Sequence, residues 1–192
     1  MIQIVIDLET YSTNSNAAIV QIGAVAFDAS TGEITAEFKI NVDPKSCTDA
    51  GLSVDIETME WWSGQSREAQ KSITQAPRYS ILDALTAFAS WVREQTSYKH
   101  ARIWSHATFD FVILANAFKA VGMKMPYSHR SARDLRTIVD LARVEYWKWD
   151  RGEGVHHDAL DDCRFQVRYL NKCFDQLRRD TQDYWEPNED EV

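Results

Sequence analysis

The chain has 192 residues, a length that suits one compact domain. Hydrophobic residues make up 44% and charged residues 26%, so wholesale disorder is excluded, and no apolar run is long enough to span a bilayer. The net charge of −8 is uneven: residues 180–192 hold six acids and no Lys or Arg, whereas 119–151 carries eight Lys/Arg against four acids, one basic segment in an acidic chain.

The N-terminus has no basic n-region and no small-residue cleavage site, so secretion is not expected. Residues 2–7 form a β-branched run ending in acids and predict a buried first strand. Residues 19–28 and 34–42 predict two more, joined as a hairpin by the turn chemistry of 29–33. From 53 to 73 the pattern is helical but irregular and contains Trp61 and Trp62. An amphipathic helix follows at 79–95, a short strand at 102–105, and a helix at 108–121 stopped by Gly122. Residues 131–144 predict a helix and 147–157 a glycine-containing loop. The last helix, 158–177, places apolar residues at 160, 163, 167, 170, 174 and 177. This order predicts an α/β domain with a mixed central sheet over residues 1–179, followed by a flexible acidic tail at 180–192. Cys47, Cys163 and Cys173 include no CxxC pair and suit reduced thiols in a cytoplasmic protein.

Three acidic clusters carry the chemistry. Alternation puts Asp7 and Glu9 on one side of an extended chain, where two carboxylates are costly to desolvate without a cation between them. Hard carboxylate oxygens suit Mg²⁺ or Mn²⁺ better than zinc. Alone, the pair reads most simply as a solvated strand end. Asp110 follows Phe109 after a short strand, a position that suits either helix capping or a ligand site. The third cluster, residues 156–162, holds two His–Asp pairs at the same spacing, 156 with 161 and 157 with 162. On a helical wheel Asp162 lies roughly 110° from the apolar stripe and Asp161 and Asp158 roughly 150°. Asp162 therefore sits at the core boundary, Asp161 faces water, and Asp158 is an N-cap candidate.

Together, Asp7-Leu8-Glu9-Thr10, then Phe109-Asp110 with Leu114 beyond, then His157, Ala159, Leu160 and Asp162, resemble the DEDDh group of DnaQ-like 3′–5′ exonucleases. Trp61-Trp62 and the 134–137 segment are similar to a subgroup of short bacterial and phage exoribonucleases of the RNase AS and DexA type. Cys163 and His106 stand where related enzymes often have other residues. The resemblance implies an RNase H-like fold in which Asp7, Glu9, Asp110 and Asp162 bind two divalent metals, Mg or Mn, and His157 is the general base. A compact, deep carboxylate site cannot straddle a stacked duplex and so suits a single strand with a free 3′ end; the first reading is RNA, favoured over DNA, cut to 5′-mononucleotides. The resemblance makes Thr10 and Tyr11 candidates for the terminal nucleotide pocket, and a homodimer is a family expectation. Trp61 and Trp149 are stacking candidates on their residue type, with core packing as the plainer reading. Rival readings are an exonuclease acting on DNA, a silent nucleic-acid-binding module, and, more weakly, a carboxylate-pair sugar hydrolase.

Overall fold

The computed structural model describes residues 1–152 and 154–185, with side chains described as far as residue 179. Strands β1 (Ile2–Thr10), β2 (Ile19–Asp28) and β3 (Ile34–Val42) form an antiparallel meander. Helices α1 (Pro44–Asp49), α2 (Ile56–Ser63) and α3 (Arg67–Thr74) follow, then the two-residue strand β4 (Arg78–Tyr79), parallel to β3. Helix α4 (Ile81–Gln95) leads to β5 (Ile103–Ser105), α5 (Asp110–Ala120), β6 (Ala132–Asp134), α6 (Leu135–Ala142) and the long α7 (Ala159–Trp185). The sheet order is β4-β3-β2-β1-β5-β6, with β5 parallel to β1 and β6 parallel to β5.

β1 is central and covered on both faces, which is why it reads as a near-continuous apolar run. Ile4, Ile6 and Leu8 point to one face and pack with Leu85 and Phe88 of α4 and Leu114 and Phe118 of α5. Val5 points to the other, where Leu135 and Ile138 of α6 and Cys163, Val167 and Leu170 of α7 cover it. Asp7 and Glu9 share the parity of Val5 and so emerge on the side of α7.

Two residues of β2 fix how closely α7 approaches. Gly23 pairs with Asp7 across the β1–β2 ladder, and a Cβ at Gly23 would stand 2.3 Å from the Ala159 carbonyl. Only a glycine allows that contact. Buried Gln21 accepts the Ala159 N–H at 2.7 Å and donates to Asn41 at 2.8 Å, so one of the open amides at the helix start is satisfied inside the core.

Several expectations are corrected. β1 runs through Thr10 rather than ending at Asp7, because pairing with β2 continues past the acids across a bulge. The irregular 53–73 segment is two helices separated by Gly64, with Ser66 capping the second. Residues 132–134, expected in a helix, form strand β6, and the helix begins only after Asp134 caps it by accepting from Thr137 N. Three residues are too few for a periodic signal to reveal a strand. The short α1 and β4 carry none either. α7 continues through Trp185, into the stretch expected as an acidic tail, and residues 186–192 lie outside those described. The three cysteines are free and buried. Among the described residues no helix is long and apolar enough to cross a membrane.

Candidate active site

Four carboxylates meet at the carboxyl end of β1. Asp7 and Glu9 come from the strand, Asp110 from the first residue of α5, and Asp162 from the first turn of α7. They line one cavity of about 310 Å³ together with His157. Carboxylate oxygens of Asp7, Glu9 and Asp162 lie within 4.8 Å of one another, an all-oxygen donor set that fits a hard divalent cation. Asp110 is held differently: Oδ1 accepts from Leu8 N at 3.2 Å and Oδ2 from His106 N at 3.0 Å. Each of its oxygens keeps a second lone pair facing outward from those bonds.

The cage is electrostatically costly. Burial, then Asp110, Glu9 and Asp162, push the Asp7 carboxyl well above its ordinary range, while Gln166 opposes the shift. Glu9 is raised by burial, then by Asp162 and Asp110. Burial raises Asp110 to about 7 and Asp162 to about 6, with Arg151 restraining the latter. Like charges this close resist joint ionisation, so the site as built calls for positive charge. Arg151 supplies some: its guanidinium is paired with Asp162 and lies 4.5 Å from the centre of the Phe165 ring.

His157 sits on the turn before α7 in the left-handed region (φ 64°), which aims its ring back over the helix start. Trp61 meets that ring edge-on at 4.8 Å, and the His156 ring lies beside it at 3.8 Å. Burial, followed by His156 and Arg151, lowers the His157 pKa to about 4, so the ring is neutral at physiological pH and a weaker base than an ordinary imidazole. His156, His157 and Asp162 make a second possible donor set, overlapping the first at Asp162. Asp158 does cap α7, accepting from Leu160 N and Asp161 N. It is nevertheless buried and tied to Lys39 and Ser72, contrary to its outward place on the helical wheel. Asp161 does not simply face water, since it accepts from Val155 N at 2.8 Å and pairs with Arg164. Both differences arise because the wheel describes α7 alone, whereas the first turn also meets β3, α3 and the incoming loop.

A larger cavity of about 590 Å³ adjoins the cage and shares Leu8, Glu9 and Phe109 with it. Thr10 and Trp61 line it, and Trp61 is 47% exposed. Trp62 is buried and donates from Nε1 to the Thr10 carbonyl at 2.9 Å, locking α2 onto the end of β1. Tyr11 and Trp149 line neither cavity. Tyr11 packs on Val20, Trp62 and Ile73, and Trp149 packs against the α6–α7 core while lining a separate groove.

The sequence alone does not single out Gln166, Tyr146, Tyr169, Gly23 or Gln21. Gln166 lies one helical turn beyond Asp162 and donates to Asp7 Oδ1 at 2.7 Å; the spacing from Asp162 is a usable signal. Gln21 is visible as a polar residue in an otherwise apolar strand. Nothing in one sequence distinguishes Gly23 from an ordinary strand glycine.

A family model for the Rv2179c-like 3′–5′ exoribonuclease domain matches residues 2–174. The chain belongs to that family. It is a 3′–5′ exonuclease with a DnaQ-like, RNase H-like fold, as the motif set implied. Among curated relatives, an exodeoxyribonuclease of Enterobacteria phage T4 is 26% identical, the match covering 85% of each chain. Of solved structures, apo exonuclease I superposes with a TM-score of 0.59 at 16% identity over 93% of this chain, which spans 44% of that longer protein. Cell-death related nuclease 4 gives 0.61 at 18% identity, covering 91% of this chain and 64% of the other. A full-length 3′-exonuclease gives 0.61 at 13% identity, covering 91% and 81%. The enzymes of this fold use divalent metals, and the acidic cluster provides suitable donors.

Proposed function

We propose that the exonuclease hydrolyses single-stranded RNA from its 3′ end, releasing 5′-mononucleotides. The observation that carries the chemistry is the convergence of Asp7, Glu9, Asp110, Asp162 and a neutral His157 on one cavity. Asp7, Glu9, Asp110 and Asp162 would hold two divalent cations, Mg²⁺ or Mn²⁺, which would supply positive charge at the scissile phosphate and offset the repulsion within the cage. His157 accepts a proton from the attacking water at a ring nitrogen as the new P–O bond forms and the bond to O3′ breaks, and O3′ takes up a proton from solvent as the 3′-hydroxyl of the shortened strand. Gln166 fixes the orientation of Asp7, and the backbone amides of Leu8 and His106 fix Asp110. The terminal nucleoside occupies the larger cavity against Trp61 and Phe109, with Thr10 at its wall. Tyr11 supports that wall from behind through Trp62.

RNA is favoured because the family model, matched over most of the chain, is that of an exoribonuclease domain. The second reading, DNA, is favoured by the phage relative, an exodeoxyribonuclease by name. The discriminating assay is metal-dependent release of mononucleotides from end-labelled RNA and DNA single strands side by side, with Asp7→Ala as the control. Faster release from RNA is expected; equal or faster release from DNA overturns the preference, and full activity in Asp7→Ala overturns the metal assignment. Buried, unpaired cysteines support a cytoplasmic setting. Exposed Ile56 and Met59 on α2, beside Trp61, support a homodimer, which light scattering of the full chain tests.

A further inference from the structure

We propose that the groove between α6 and α7, about 650 Å³ and lined by Arg143, Lys148, Trp149 and Lys172, is the track for the nucleotides upstream of the scissile phosphate. This rests on the exonuclease reading above and adds a direction to it: the strand enters over the α6–α7 side and ends in the Trp61 cavity.

Charge distinguishes the Trp61 cavity from the groove between α6 and α7. The Trp61 cavity is lined by Glu9, Asp55 and Glu57 and by no Lys or Arg. It suits a terminal nucleoside, whose 3′ end is a hydroxyl, and repels the phosphates of a continuing chain. On the other side, Arg143, Lys148 and Lys172 face the groove against a single acid, Glu145, which is already paired with Lys148 at 2.8 Å. In a chain of net charge −8 such a strip is a local exception.

Aromatic rings lead from the cage toward this groove. Tyr169 lines the cage, Tyr146 stacks on it at 4.4 Å and also lines the cage, and Trp147 meets Tyr146 edge-on at 5.5 Å while 63% exposed. Trp149 follows, one side on the core and the other in the groove. Arg168 of α7 holds this segment down by donating to the Arg151 carbonyl at 2.7 Å and the Asp150 carbonyl at 3.3 Å. Tyr169 itself is buried, but exposed Trp147 and half-buried Trp149, with cations spaced beside them, offer the rings and charge that single-stranded nucleic acid requires.

The test is binding in EDTA, which needs no turnover. Fluorescence anisotropy of a labelled single-stranded oligonucleotide of about 12 residues is read for the wild type and for Arg143→Gln/Lys172→Gln at several salt concentrations. Both side chains are exposed, and glutamine removes their charge while staying polar. Binding is expected to weaken about tenfold, with the slope of log K against log salt falling by about 0.7 for each phosphate that is no longer neutralised. Turnover of a p-nitrophenyl ester of a mononucleotide, which has no upstream strand, should stay at the wild-type rate in the same variant. Unchanged affinity and slope overturn the track, as does no binding by the wild type or equal loss of turnover on the small ester. A wild type that binds normally yet releases no mononucleotide in Mg²⁺ or Mn²⁺ overturns the exonuclease reading, and with it the track, leaving the groove only as a surface that binds single strands.

Discussion

Gln166 Nε2 donates to Asp7 Oδ1 across 2.7 Å, joining the second turn of α7 to the centre of the sheet. Its own Oε1 is buried without a partner among the described residues, so the amide serves the carboxylate at some cost to itself. Replacing it by leucine removes both the useful donor and the costly acceptor. Stability of Gln166→Leu should therefore stay within about 1 kcal/mol of wild type. Metal affinity and kcat should fall about 10- to 100-fold, as for other outer partners of metal ligands when they are removed. Titration calorimetry with Mn²⁺ and chemical denaturation measure the two separately; a stability loss with normal Mn²⁺ affinity would sink the assignment.

Asp110 makes the metal-free fold acid-favoured. Unfolded, its carboxyl loses its proton near the ordinary 3.8; folded, burial holds the proton to about 7. Between these values the folded state binds the extra proton, so this group's contribution to stability declines as pH rises. Asp110→Asn abolishes that dependence, and its loss of one backbone acceptor is a constant offset. In EDTA, the variant's melting temperature minus the wild type's should climb from pH 4 to pH 7 and level off above. A flat difference across that range contradicts the buried, proton-holding carboxyl. Mn²⁺ at pH 8 should raise the wild type's melting temperature more than the variant's.

His157 is tested best by asparagine, which tolerates the left-handed backbone at this position while lacking a basic ring nitrogen. The loss in kcat should be roughly 10²- to 10⁴-fold, the usual range for a general base. KM should change little. His156→Ala should cost less than loss of His157, since the His156 ring lies beside His157 at 3.8 Å and lines the cavity without belonging to the four-carboxylate set. If His156→Ala is the more damaging in steady-state kinetics, the roles are reversed.

Gly23→Ala places a methyl 2.3 Å from the Ala159 carbonyl, where the obstacle is backbone and has no flexible end to move. Relief requires the start of α7 to lift from β2, carrying Asp162 and His157 away from Asp7. Destabilisation of about 1–3 kcal/mol is expected, from overpacking. The loss of kcat should exceed what unfolding accounts for. Urea denaturation and kcat on correctly folded protein check the pair; normal activity would mean that the cage does not depend on this close approach.

Asp7, Glu9, Asp110, His157 and Asp162, which line one cavity, stand out in the sequence only as a set, since each cluster taken alone reads as a strand end, a helix cap or local packing. The strands β2 and β3 and the helix starting after Ser80 are legible because periodicity and turn chemistry act within a few residues. Strand β6 escapes because three residues cannot display a period. Trp149 is a stacking candidate by its type, but whether an aromatic ring faces the cage or a neighbouring groove depends on the path of the loop that carries it.

Sequence by itself determined the chemistry at hand: an oxygen-rich acidic set, an imidazole and the elements on which they sit, all local properties of residue type and spacing. Tertiary structure alone decided how those parts are held and which way the site faces. Gln166 reaches Asp7 across 159 positions, Gly23 lets Ala159 touch the sheet, and acids gather in the Trp61 cavity while cations gather in the groove between α6 and α7. Such contacts join residues with no local relation, so they come into being only when the helices close over the sheet and exclude water from between them.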